Sequence, residues 1–129
     1  MRTIKKTNSL QLILLITDEN ENMPSLRIKL TRELEKIPGL EKGILPGKKE
    51  DFTYFSYNGK EIAHFDNNNE LDVRLTKSII RQEGLTHPRD SKNHPNRVNS
   101  QTHWIVLQFK QADRIKEIVR LVKLAIEQR

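Results

Sequence analysis

The chain has 129 residues, of which 31% are charged and 35% hydrophobic, and it contains no cysteine. That length allows a single domain with its own core, and the missing thiols exclude disulfides and thiolate metal sites. Lys and Arg outnumber Asp and Glu by 23 to 17, a net charge of +6, which suits a polyanionic partner but is spread along the chain as on an ordinary solvated surface.

Arg2, Lys5 and Lys6 precede the apolar run Leu10 to Ile16, and Thr17-Asp18-Glu19-Asn20 follows it. The run is far too short to span a bilayer, and no small-residue cleavage site follows it. A cytoplasmic protein with no membrane partner is expected. Residues 1–21 then form an apolar segment that packs on its own domain or on a second copy, making a homodimer.

Residues 22–129 read as one α+β domain. Pro24 sits where a first helical residue is favoured. Leu26, Leu30, Leu34 and Ile37 follow at helical spacing, and Pro38-Gly39 ends the helix. Leu40 to Leu45 is a short strand, and Phe52 to Tyr57 suits a second because aromatics fit a pleated surface. Asn58-Gly59 predicts a tight hairpin, with Lys60 to Asp66 returning and Asn67-Asn68-Asn69 as the next turn. Leu71, Val73 and Leu75 alternate with Asp72 and Arg74, so the two sets face opposite ways.

Thr76 is a candidate N-cap for a short helix bearing Ile79 and Ile80 that Gly84 stops. His103 to Phe109 is a strand, with Ile105, Leu107 and Phe109 on one side and Trp104, Val106 and Gln108 on the other. A helix is predicted from Gln111, striped by Ile115, Ile118, Val119, Val122 and Ile126. Residues 85–102 have no periodicity; a connection that long is often functional, and a short strand near Arg97-Val98 would shorten it. The order α-β(3–4)-α-β(1–2)-α implies a two-layer α+β sandwich, an antiparallel sheet with helices on one face.

Gly59-Lys60-Glu61-Ile62-Ala63-His64-Phe65, Leu71-Asp72-Val73-Arg74-Leu75-Thr76, His87-Pro88-Arg89 and His103-Trp104-Ile105-Val106-Leu107 resemble a family of small luciferase-like domain proteins. Leu34 to Leu40 also fits, and the likeness covers roughly residues 26–127. The family carries no established activity across; its label hints at a small-ligand or oxidoreductase-type protein. More distantly, the element order is similar to the MmcQ/YjbR family, described as DNA-binding, whose fold is related to secretion-chaperone-like two-layer domains.

His64 is expected to share a strand face with Ile62 and Asp66, where an imidazole beside carboxylates is suited to proton transfer or simple hydrogen bonding. His64, Asp72, Arg74 and Trp104 are the candidate ligand-binding residues: an Arg and a Trp on an open sheet face make a platform for an anionic or planar ligand. Arg89, Lys92 and Arg97 in the loop, with Lys116, Arg120 and Lys123 on the last helix, are the candidate nucleic-acid contacts, because phosphates need such side chains. His87, His94 and His103 lie in or beside the long loop, but no close His pair or His-Glu-x-x-His helix marks a metal site, and no cofactor is expected. No phosphate loop, dinucleotide fingerprint or nucleophile motif is present. The sequence thus describes a small binding or interaction protein without an identifiable catalytic motif, its partner being a nucleic acid or a small anionic ligand.

Overall fold

Ser25 begins the first well-formed element: its Oγ accepts the amide of Ile28 at 3.2 Å, satisfying one of the free N–H groups of a helix start. The computed structural model describes residues 3–4, 6–7, 25–47, 51–97 and 102–128. Among the described residues, strands β1 (Thr3–Ile4) and β2 (Lys6–Thr7) pair with each other in a separate two-stranded sheet. Helix α1 (Leu26–Glu35) leads into β3 (Leu40–Leu45), β4 (Phe52–Tyr57), β5 (Lys60–Asn67) and β6 (Glu70–Arg74). Helix α2 (Lys77–Gln82), strand β7 (Trp104–Gln108) and helix α3 (Arg114–Glu127) complete the chain.

Strands β3 to β7 form one antiparallel sheet in sequence order, each paired with the next. Helices α1 and α3 pack against each other, and both reach the sheet. The architecture is the expected α+β sandwich. Its core joins Phe55, Phe65, Leu71, Val73, Ile105, Leu107 and Phe109 from the sheet to Leu30, Leu34, Ile118, Leu121 and Val122 from the helices. Phe65 meets Phe55 and Phe109 edge-on, with ring centroids 5.9 and 6.1 Å away, a geometry the ring quadrupoles favour. Each such buried side chain contributes about 1.5–3 kcal/mol from removal of apolar surface from water.

The sequence landmarks hold at the turns. Asn58 and Gly59 both have positive φ, 52° and 78°, as a two-residue hairpin turn requires. Thr76 caps α2 by accepting the amide of Ile79, and Gly84 follows that helix with φ 68°. Leu121, outside the predicted stripe of the last helix, is fully buried in the core that α1 shares with α3.

Four local readings change. Helix α1 starts at Leu26 behind the Ser25 cap rather than at Pro24, because a serine hydroxyl can hold a helix amide and a proline ring cannot. Helix α3 starts at Arg114, after a turn at 111–113, rather than at Gln111. Arg97 is irregular rather than part of a strand, and Val98 lies outside the described residues, as does the apolar run 10–16. Ile62 lies in the core and not beside His64. The cause is a register shift: Phe55 pairs with Ala63 but Ser56 pairs with Glu61, which leaves Ile62 as the extra residue of a β-bulge.

Candidate functional site

The face of the sheet turned away from the helices carries the polar residues, and two β-bulges in β5 concentrate them. On a regular strand Glu61 and His64, three apart, would point to opposite faces. The bulge at Ile62 brings them together, and His64 Nδ1 donates to Glu61 Oε2 at 2.6 Å. A second shift lets Phe65 pair with Leu71 and Asn67 with Glu70, leaving Asp66 as the extra residue. His64 stands opposite Asp72 across β5 and β6. Its Nε2 is 3.2 Å from Asp66 Oδ1 and 3.5 Å from Asp72 Oδ2.

The long loop after α2 folds over this face. His94 Nε2 stands 3.2 Å from Asp66 Oδ2 and 3.5 Å from Asp72 Oδ2. Arg97 grips Asp72 with both terminal nitrogens, at 2.7 and 3.0 Å, the planar fork-to-carboxylate geometry that makes Arg–carboxylate pairs strong. Further along the sheet Glu70, 3% exposed, holds the loop down. It accepts from Ser91 Oγ at 3.0 Å, Asn67 Nδ2 at 3.1 Å and Gln108 Nε2 at 2.9 Å. Ser91 Oγ in turn accepts the amide of His94, and the His94 carbonyl accepts from His87 Nε2 at 2.8 Å. His94 is therefore fixed through both its backbone amide and its carbonyl.

Electrostatics follow from this crowding. Burial alone would lower the pKa of His64, but hydrogen bonds to Asp66, Asp72 and Glu61 outweigh it and hold the imidazole up to about 10. Burial pushes the Asp72 carboxyl upward, and its bonds to His64 and Arg97 more than reverse that, leaving it below the usual carboxylate value. His64 is thus a cation at neutral pH, not a ready base.

Aromatic rings flank that cation. The His64 ring lies 5.2 Å from Phe52 and 5.1 Å from Trp104, centroid to centroid. Tyr54, opposite His64 on β4, lies across Gly43 of β3, where an added Cβ would run into its ring. Trp104 is half-buried and faces Arg74 across β6 and β7; Arg74 is exposed and makes no ion pair among the described residues.

Three of the four sequence-proposed ligand residues, His64, Asp72 and Trp104, come together, with Arg74 at the rim. Glu61, Asp66, His94 and Arg97 complete the cluster. Alternation alone hid Glu61. The proximity of Asp66 to His64 on one strand was a visible signal, but the approach of His94 and Arg97 from the loop was not.

The six proposed nucleic-acid residues do not form one surface. Arg97 is engaged by Asp72, and Arg89 and Lys92 are exposed on the loop over the polar face. Lys116, Arg120 and Lys123 lie on α3 in the helix layer, where they line a groove with Lys29 and Arg32 of α1. Arg120 there is bound by Glu83 and Glu117, at 2.7 and 2.6 Å.

No helix among the described residues is long and apolar enough to cross a membrane. No curated protein and no solved structure matches the chain, and nothing in the comparisons bears on the MmcQ/YjbR likeness. A model of the Luciferase domain family matches residues 59–125. The match takes in β5, β6, α2, the long loop, β7 and most of α3, and so every member of the His64 cluster from Glu61 to Trp104. It covers more than half of the 129 residues, and the chain belongs to the Luciferase domain family.

Proposed function

We propose that this is a small-ligand-binding protein and that its site is the Trp104 end of the polar sheet face. The ligand class is a planar anion: an aromatic or heteroaromatic ring bearing a carboxylate or an ionised hydroxyl. The observation that carries this reading is the position of Trp104. Its half-buried ring sits 5.1 Å from the cationic His64 imidazole and directly opposite the exposed Arg74. Trp104 supplies a stacking surface, and Arg74 a charged fork for an acidic group. The family name, which points to oxidation of a small organic molecule, is compatible with such a ligand.

Titration of Trp104 fluorescence, with backbone NMR shifts, against a panel of planar carboxylates and phenols tests this. A saturable response is expected, with shifts at His64, Asp72, Arg74 and Trp104. Trp104→Ala and Arg74→Ala are each expected to weaken binding by about tenfold or more. Shifts confined to α3, or no saturable response up to about 1 mM, overturn the reading.

A second reading, nucleic-acid binding, draws support from the α1–α3 groove, where Lys29, Arg32, Lys116, Arg120 and Lys123 outnumber Glu33, Asp113 and Glu117. Its signature is affinity for a DNA duplex that falls steeply with salt and drops in a Lys116→Glu/Lys123→Glu double variant. Absence of binding at low salt removes it.

A further inference from the structure

We infer that His64, Asp66 and Asp72, with His94 closing from the loop, form a binding site for one divalent transition-metal ion. The inference does not depend on a ligand at Trp104, although the two sites adjoin. His64, Asp66 and Asp72 each offer a ligand atom within 4.8 Å of the others.

The finer spacings match coordination. Around an ion held at about 2.0–2.1 Å in tetrahedral geometry, neighbouring ligand atoms stand about 3.3–3.4 Å apart. His64 Nε2 is 3.2 Å from Asp66 Oδ1 and 3.5 Å from Asp72 Oδ2; His94 Nε2 stands 3.2 Å from the other Asp66 oxygen and 3.5 Å from Asp72 Oδ2, so the three ligands are His64, Asp66 and Asp72. An imidazole and two carboxylates, with a fourth position left for water, suit a borderline ion such as zinc or cobalt better than magnesium or calcium, which prefer all-oxygen sites.

A second observation points to a ligand independently of spacing. The Asp66 side chain is 7% exposed, yet its Oδ2 has no hydrogen-bond partner. His94 Nε2 stands 3.2 Å away without forming a hydrogen bond to it. A buried carboxylate oxygen left without a donor is costly, and a cation held by Asp66 with His64 and Asp72 removes that cost.

The surroundings fit the same role. Glu61 Oε2 accepts the hydrogen bond of His64 Nδ1 at 2.6 Å, which leaves Nε2 as the ligand atom. A carboxylate behind a metal-bound imidazole orients the ring and raises its basicity. Arg97 does not block the site, because each Asp72 oxygen keeps a second lone pair after the bidentate contact. With neutral imidazoles, a divalent ion and Arg97 together balance the charges of Glu61, Asp66 and Asp72.

Calorimetric titration of the chelator-treated full chain with zinc, and with cobalt followed by its visible absorption, tests the assignment. One ion per chain is expected, with the cobalt bands of a tetrahedral site. Glu61→Gln, acting behind a ligand, is expected to weaken binding by about 10–100-fold, and Asp66→Asn by more. Trp104→Ala is expected to keep the ion, so loss of the planar ligand with retained metal separates the two readings. Should Asp66→Asn fail to fold, the imidazole NMR signals of the unaltered protein decide: His64 and His94 shift on zinc addition while His87 and His103 do not. Absence of stoichiometric uptake, full uptake by Asp66→Asn, or shifts only at His87 and His103 overturns the site.

Discussion

At the scale of single residues, His64 shows how a neighbourhood overrides an intrinsic property. A free imidazole titrates near 6.5; this one is held up to about 10 because three carboxylates accept from it, despite its burial. Its folded value lies above its unfolded one, so the stabilisation is complete below about pH 6.5 and fades as pH rises toward 10. Asp72 behaves oppositely: held below its ordinary value, it contributes above that value and loses the contribution as acid protonates it. The stability of the metal-free protein is therefore expected to be highest between the carboxylate range and neutrality, and to fall on the alkaline side. Denaturant unfolding across pH checks this, and His64→Gln should flatten the alkaline slope; an unchanged slope contradicts it. Arg97→Ala leaves the buried Asp72 without its bidentate partner, with only the 3.5 Å contacts of His64 and His94 remaining among the described ion pairs. A loss near the low end of about 3–5 kcal/mol is expected, measured by the same unfolding curves.

Elements carry the fold through simple periodicities. Helix α3 buries Ile115, Ile118, Leu121, Val122 and Ala125, the stripe that a 3.6-residue repeat presents to one side. Ile118 is fully buried, so Ile118→Ala is expected to cost about 2–5 kcal/mol. A thermal midpoint equal to that of the unaltered chain contradicts the packing. Strands β6 and β7 alternate as their sequences suggest, whereas β5 does not. Its bulges at Ile62 and Asp66 turn three polar residues, Glu61, His64 and Asp66, onto one face. Neither bulge is marked by a glycine, so nothing in the local sequence distinguishes β5 from an unbroken strand.

For the whole molecule, one sheet face serves the core and the other, under the 85–97 part of the loop, serves the candidate site. The edge near β3 leaves Ile44, Leu45 and Phe52 exposed at 53%, 53% and 39%. Exposed apolar side chains on a sheet edge invite a partner. The earlier expectation that residues 1–21 dock on the domain or join two copies remains a proposal. Sedimentation and thermal unfolding of the full chain, compared with a chain beginning at Ser25, test it. Removal of the segment is expected to lower the thermal midpoint or convert a dimer to a monomer. Equal mass and equal stability reject both forms.

The sequence by itself determined the layer architecture, the hairpin at Asn58-Gly59, the cap at Thr76, the burial of α1 and α3, and the grouping of Asp72 with Arg74 opposite Leu71 and Val73. All of these are properties of neighbouring residues: spacing, turn chemistry and alternation are fixed within a few positions of the chain. It also placed His64, Asp72 and Trp104 on one face, because alternation propagates across paired strands. Only the tertiary structure decided that His94 and Arg97, 22 and 25 residues beyond Asp72, complete that group. An irregular loop has no period to read. Its path is set by the buried contacts of Ser91 with Glu70 and of Arg97 with Asp72, and these exist only once the sheet has formed.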